Sequence, residues 1–219
     1  MAIDIKICGL RTDAALDAAL ANGASHVGFI FFPKSPRHVE PALAGRLREA
    51  AVGRASAVAV TVDADDPFLD AIVRGMAPDL LQLHGNESPA RVAEIRSRYR
   101  LPVMKALAIS EPADLATIPA YRNVADRLLF DARPPAGASL PGGNGAAFDW
   151  RILADVERGL DYMLSGGLDA GNVREALALA DPPGIDVSSG VESAPGHKDP
   201  ALVAAFFRAV RAAGKHGAA

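Results

Sequence analysis

Short runs of apolar and β-branched residues recur along the chain, each followed by a turn and a stretch with helical character. The runs are Ile3–Ile7, His26–Phe31, Ala57–Val62, Asp79–Leu83, Pro102–Leu107, Arg127–Phe130, Tyr162–Leu164 and Ile185–Val187. Eight runs in 219 residues give one strand–helix unit per roughly 27 residues, and strands that alternate with helices predict a parallel sheet. The helical stretches are Thr12–Ala21, Pro41–Ala51, Pro67–Met76, Ser88–Arg98, a short Pro112–Ile118, Phe148–Arg158, Ala170–Ala180 and Asp199–Ala213. Thr12 can cap the first of them and Gly23 can take the left-handed turn after it. Proline opens the second and third, where its missing N–H costs nothing.

Eight such units close most economically into a (β/α)₈ barrel of the α/β class, a single domain over residues 1–219 with a frayed tail at 214–219. The rival is an open doubly wound sheet. Its usual mark is a G-x-G-x-x-G turn after the first strand, and Cys8-Gly9-Leu10-Arg11 stands there instead. The segment Asp131–Gly145, rich in Pro and Gly, is too long for a simple connection and reads as a functional loop.

Composition narrows the classes. Half the residues are apolar, 22% are charged and the net charge is −3, the balance of a folded protein. The lack of a basic excess argues against a nucleic-acid partner. The N-terminus does not read as a signal peptide and no run reaches the ~18 apolar residues of a membrane span, so a cytoplasmic protein without a membrane partner is expected. The one cysteine, Cys8, excludes an internal disulfide and a thiolate-rich metal site. Composition leaves monomer and homodimer equally open.

In a barrel of this kind the chemistry sits where the strands end. Cys8 ends the first strand; its thiol can act as a base if its pKa falls from about 8.5, or it is inert packing. Asp131 ends the sixth with no helix directly behind it, so a carboxyl and a thiol can face each other as acid and base. Arg37, in the Pro-bounded loop Ser35–His38, is either solvated or aimed inward to grip a carboxylate. Gly166 and Gly167 after the seventh strand, and Ser188, Ser189 and Gly190 after the eighth, read as a phosphate cradle of backbone N–H groups before helix starts, with the two serines adding hydroxyl donors. His84 with Asp63 or Asp131 is a thin metal-ligand set lacking any paired histidine motif. No metal is expected, and His84 and Asp186 read as hydrogen-bonding supports.

Several segments together resemble the phosphoribosylanthranilate isomerase family. They are Lys6-Ile7-Cys8-Gly9-Leu10, Gly28-Phe29-Ile30-Phe31 leading to Ser35-Pro36-Arg37, Gln82-Leu83-His84-Gly85, Phe130-Asp131-Ala132, Gly142-Gly143-Asn144-Gly145, Ser165-Gly166-Gly167-Leu168, and Asp186 through Glu192 followed by Pro195–Asp199. The resemblance implies an Amadori rearrangement in tryptophan biosynthesis on a small phosphorylated substrate, without metal or organic cofactor. It implies Asp131 as general acid, Cys8 as general base, Arg37 on the anthranilate carboxylate, and the two glycine-bearing loops on the phosphate. Two alternatives are the related aminoaldose isomerase of histidine biosynthesis, which places Asp where Cys8 stands, and a non-catalytic barrel that binds phosphorylated ligands.

Overall fold

The computed structural model describes residues 3–134, 137, 142, 143, 145 and 147–214. The expected frayed tail beyond residue 214, and much of the loop Asp131–Gly145, lie outside them. Eight parallel strands run in chain order around a closed barrel: β1 (Asp4–Cys8), β2 (His26–Phe31), β3 (Ser56–Thr61), β4 (Leu80–Leu83), β5 (Val103–Ile109), β6 (Arg127–Ala132), β7 (Tyr162–Leu164) and β8 (Gly184–Val187). Closure comes from β8 pairing with β1, with Asp4 opposite Gly184 and Ile7 opposite Val187. Every expected strand is present, within two residues of the anticipated ends.

The helices are α1 (Asp13–Asn22), α2 (Pro41–Ala51), α3 (Asp66–Met76), α4 (Pro89–Tyr99), α5 (Ile118–Tyr121), α6 (Val173–Ala180) and α7 (Pro200–Gly214). Their starts follow local chemistry. Thr12, Asp65 and Ser88 each accept a hydrogen bond from the backbone N–H three residues on. Gly23 closes α1 at φ 93°, in the left-handed region. None of these helices is long and apolar enough to cross a membrane.

Three expected helices are corrected. The short Pro112–Ile118 is a 3₁₀ stretch, Pro112–Thr117, and α5 only begins where it ends. Phe148–Arg158 forms only a 3₁₀ stretch, Trp150–Asp155, because Trp150 and Leu153, three apart, are its buried anchors and Val156 is already extended. The helix expected from Ala170 begins at Val173. Asp169 and Asn172 cap each other first: Asp169 Oδ1 accepts from Gly171 and Asn172, and Asn172 Oδ1 accepts from Asp169 N.

Alternation along each strand sorts side chains into two layers. Val27, Phe29, Phe31, Leu81 and Leu128 face outward onto the helices. Cys8, Val58, Val60, Leu80, Met104, Leu129 and Met163 fill the barrel interior. Positions two residues from these share that interior. Lys6 therefore lies inside beneath Cys8, Gln82 above Leu80, and Asp131 above Leu129. Apart from the buried Lys6–Asp186 pair the interior is apolar at its centre, and it becomes polar toward the strand C-termini, where the reactive candidates gather.

The helix layer carries one close approach that fixes residue identity. A Cβ on Gly45 of α2 would strike the carbonyl oxygen of Gly75 in α3. Gly→Ala in a helix ordinarily gains about 1 kcal/mol. Here the contact is with backbone, and overpacking costs about 1–3 kcal/mol. Gly45→Ala is therefore expected to lower the midpoint of urea unfolding; a midpoint equal to or above the wild type would show that α2 and α3 are not this close.

Candidate active site

Cys8 is 5% exposed and belongs to the barrel's inner cluster. It sits over Gly28 of β2, where a Cβ would lie 3.0 Å from its sulfur and 3.1 Å from Lys6 Cε. Lys6 and Cys8 thus share one side of the interior, two residues apart. Lys6 Nζ donates to Asp186 Oδ1 at 3.0 Å, and both side chains are buried. Burial pulls the Lys6 ammonium toward neutrality, but Asp186 and the nearby thiol outweigh it and the net shift is upward.

The condition placed on Cys8 needs correction. Its pKa is raised, not lowered. Burial is the largest cause; Lys6 and Lys198 oppose it, and Asp186 adds to it by repelling the thiolate. The resting thiol is protonated, and the two lysines are the cations that favour its ionised form.

Asp131, 6% exposed, stands at the same rim on β6. Its Oδ1 accepts from Ala132 N at 3.0 Å and its Oδ2 meets His84 Nε2 at 3.1 Å. Gln82 Nε2 lies 2.8 Å from His84 Nδ1. Nε2 faces a carboxylate oxygen, an acceptor, so the proton sits on Nε2 and His84 donates to Asp131. This aims a donor at the oxygen that gains charge when Asp131 gives up a proton. Gln82 was not singled out from sequence. Its signal was its place two residues before His84 on an inward strand position. Its Oε1 is buried with no hydrogen-bond partner among the described residues.

A cavity of about 270 Å³ opens beside Asp131 and His84, lined also by Val62, Asn86, Ala106 and Pro134. A second concavity, about 240 Å³, lies at the opposite rim; its Arg122–Glu157 and Arg127–Asp161 pairs neutralise each other. Among the described residues no three His, Cys, Asp or Glu side chains are grouped to hold a metal ion.

Arg37 reaches the mouth by lying across Gly9. A Cβ on Gly9 would be 2.7 Å from Arg37 Cδ, and Gly9 has φ 83°. The guanidinium already grips a carboxylate of the protein itself: Nε and Nη2 each donate to Glu192 at 2.8 Å. The described glycines of the long loop tie the mouth together. A Cβ on Gly142 would lie 2.7 Å from Asp131 Oδ2 and 2.8 Å from His84 Nε2, one on Gly143 2.7 Å from Arg37 Nη1, and one on Gly145 4.0 Å from Ser189 Oγ. These three glycines thus lie beside the β6 carboxyl, the arginine and the β8 loop in turn.

The two glycine-bearing loops do come together, since a Cβ on Gly190 would strike the Leu168 carbonyl oxygen. Two details differ from the sequence reading. Gly166 and Gly167 do not precede a helix start, because α6 begins six residues later. The turn after β8 is a three-residue 3₁₀ element, Ser189–Val191, not a helix with a dipole. Ser188 is also not a free donor: its hydroxyl donates to the Cys8 carbonyl at 3.1 Å, tying β8 to β1. What remains are backbone N–H groups, with Gly166 (φ 92°) and Gly167 (φ 63°) in conformations that favour glycine, and the Ser189 hydroxyl.

Cys8 is the only thiol of the chain, so its ionisation can be followed directly. Asp186→Asn removes the anion that opposes the thiolate and frees the Lys6 ammonium. The thiolate absorbance near 240 nm is expected to appear at lower pH than in the wild type. Stability should fall by about 3–5 kcal/mol, because a buried cation loses its partner. A titration unmoved or shifted upward would contradict the arrangement.

The family model for N-(5'-phosphoribosyl)anthranilate (PRA) isomerase matches residues 5–209. The chain is similar to the N-(5'-phosphoribosyl)anthranilate isomerase of Mesorhizobium japonicum, 71% identical over 213 residues covering 97% of each chain. It is 66% identical to that of a Chelativorans species over 213 residues, 97% of this chain and 98% of the relative. Among solved structures it resembles phosphoribosyl anthranilate isomerase from Thermotoga maritima, with TM-score 0.86, 30% identity, and 96% of this chain and 100% of that one covered. A further similar structure is a phosphoribosyl anthranilate isomerase in complex with reduced 1-(o-carboxyphenylamino)-1-deoxyribulose 5-phosphate, at TM-score 0.84 and 29% identity, covering 96% of this chain and 100% of that one. A barrel with a buried thiol and a carboxyl on its C-terminal rim, matched over nearly its whole length by these relatives, belongs to the N-(5'-phosphoribosyl)anthranilate isomerase family.

Proposed function

We propose that this chain, acting as one barrel domain, performs the Amadori rearrangement of N-(5'-phosphoribosyl)anthranilate to 1-(2-carboxyphenylamino)-1-deoxyribulose 5-phosphate, with Asp131 as acid and Cys8 as base. The observation that carries the assignment of roles is positional. Both groups occupy inward positions at the C-terminal rim, on β1 and β6 of one closed barrel, and Gly142, Gly143 and Gly145 lie beside the carboxyl, Arg37 and Ser189 in turn.

The order of events follows from leaving-group chemistry. The furanose ring oxygen leaves poorly as an anion, so Asp131 donates a proton to it. The C1–O bond breaks and the anilino nitrogen lone pair forms the C1=N bond. The resulting iminium makes the C2 proton acidic; Cys8, once its thiol has passed its own proton to water, takes the C2 proton as the thiolate, giving the enolamine and restoring the thiol. Tautomerisation then adds the proton released to water to C1, and the Asp131 carboxylate takes the proton of the C2 hydroxyl, so Asp131 ends as the acid and Cys8 as the thiol, as they began. His84 Nε2–H, 3.1 Å from Asp131, stabilises the carboxylate formed in the first step. Lys6 and Lys198 support the thiolate used in the second. Each proton transfer by a positioned group is worth typically 10²–10⁴-fold.

Arg37 holds the anthranilate carboxylate, and the backbone of Gly166, Gly167, Ser189 and Gly190 holds the phosphate. Gripping both ends fixes C1 and C2 between acid and base. No step calls for a metal or an organic cofactor.

The test is steady-state kinetics by the fluorescence of the substrate. Cys8→Ser and Asp131→Asn should each lower kcat at least about 10²-fold with the fold retained by circular dichroism. Turnover like the wild type in either removes the pair. Arg37→Ala should raise KM by at least tenfold; an unchanged KM would refute its role.

A further inference from the structure

Glu192 opens a two-stranded antiparallel ribbon, β9 (Glu192–Ala194) with β10 (His197–Lys198), which follows β8 and stands outside the barrel wall. Its carboxylate collects four donors. Arg37 Nε and Lys198 Nζ reach Oε1 at 2.8 and 2.5 Å, and Arg37 Nη2 and Gly196 N reach Oε2 at 2.8 and 3.2 Å. The side chains are buried, at 5% for Arg37, 3% for Glu192 and 1% for Lys198. Lys198 Nζ also donates to the Ser188 carbonyl at 3.0 Å, and the Ser188 hydroxyl donates to the Cys8 carbonyl.

We propose that Glu192 is a positioning residue: it turns Arg37 so that its Nη1 edge meets the substrate carboxylate, and its ion pair keeps Lys198 charged beside Cys8. This rests on the reading of Arg37 as the carboxylate clamp.

Three features of the geometry support it. A guanidinium offers a planar fork with five N–H donors. Glu192 takes the Nε–Nη2 edge, and Nη2 also approaches the Gly143 carbonyl at 3.4 Å. Nη1 has no hydrogen-bond acceptor among the described residues and lies beside Gly143, at the mouth. The arginine stem is pinned against Gly9, so the direction of the fork is set by its carboxylate partner.

Charge points the same way. Arg37 and Lys198 bring two positive charges and Glu192 one negative, while Lys6 and Asp186 cancel. Burial lowers the Lys198 pKa and Glu192 opposes that; with the lysine charged, the cluster carries one positive charge in excess, and a buried charge is costly until it is paired. One substrate carboxylate on the free Arg37 edge brings the balance to zero. Burial alone would raise the Glu192 pKa, but the hydrogen bonds from Arg37 and the charge of Lys198 hold it below the usual range, so it stays ionised at neutral pH.

The experiment compares Glu192→Gln, Glu192→Asp and Arg37→Ala for KM, kcat and the pH titration of the Cys8 thiolate absorbance. Glu192→Gln should raise KM at least tenfold, lower kcat no more than threefold, and move the thiol titration to higher pH, because Glu192 holds the proton on buried Lys198 and a neutral Lys198 no longer favours the thiolate. Glu192→Asp keeps the charge but is one methylene too short to hold the arginine fork and Lys198 together. It should raise KM and leave the thiol titration in place. It also decides the matter by KM if Glu192→Gln does not fold. An unchanged KM in either folded variant, or an unmoved thiol in Glu192→Gln, overturns the proposal. If Arg37→Ala itself leaves KM unchanged, the underlying reading fails. If Arg37→Ala raises KM and the Glu192 variants do not, only the role of Glu192 fails.

Discussion

Closure of eight parallel strands imposes the constraint on which the site depends. Once β8 pairs with β1, every second residue of each strand must share a single interior. That interior admits polar groups only where they are paired or near its open rim. Lys6 is admitted because Asp186 on the adjacent strand meets it at 3.0 Å. Cys8 then stands on the next inward position, and Asp131, Gln82 and His84 occupy the corresponding rim of β6 and β4. The site follows from strand parity together with one buried ion pair.

The same pair sets the electrostatics. The thiol sits in a buried place that disfavours its ionised form, with a carboxylate nearby that disfavours it further. Two lysines oppose this, each held by an acidic partner: Lys6 by Asp186 and Lys198 by Glu192. The thiol is thus kept protonated and unreactive at rest. In the proposed mechanism the cationic iminium formed in ring opening adds a third positive influence at the moment a base is needed, which would link the second proton transfer to completion of the first. Burial that looks unfavourable for a base also shields the sole thiol from adventitious chemistry.

Much of this was legible in the sequence, for definite reasons. The strands announced themselves because parallel strands covered on both faces are continuous apolar runs. Cys8, Asp131 and His84 stand out as candidates because strand ends are where a barrel displays reactive groups. The errors have local causes. Phe148–Arg158 has helical composition, but its two buried anchors are three apart and hold a 3₁₀ turn. Ala170–Asn172 was taken into a helix, although Asp169 and Asn172 satisfy one another first and delay it. Ser188 was counted as a phosphate donor, but tertiary pairing spends its hydroxyl on the Cys8 carbonyl. The grip of Glu192 on Arg37 spans 155 positions of sequence and no local pattern encodes it.

The central claim is that the Cys8 sulfur and the Asp131 carboxyl act on neighbouring atoms of one sugar. It is tested most directly by a crystal structure of this chain with reduced 1-(o-carboxyphenylamino)-1-deoxyribulose 5-phosphate bound. The account predicts the Cys8 sulfur about 3–3.5 Å from C2 and an Asp131 oxygen about 2.6–3.2 Å from the sugar oxygen released on ring opening, on opposite sides of the chain of carbons. A complex in which the sulfur lies remote from C2, or in which both groups face the phosphate, would contradict it.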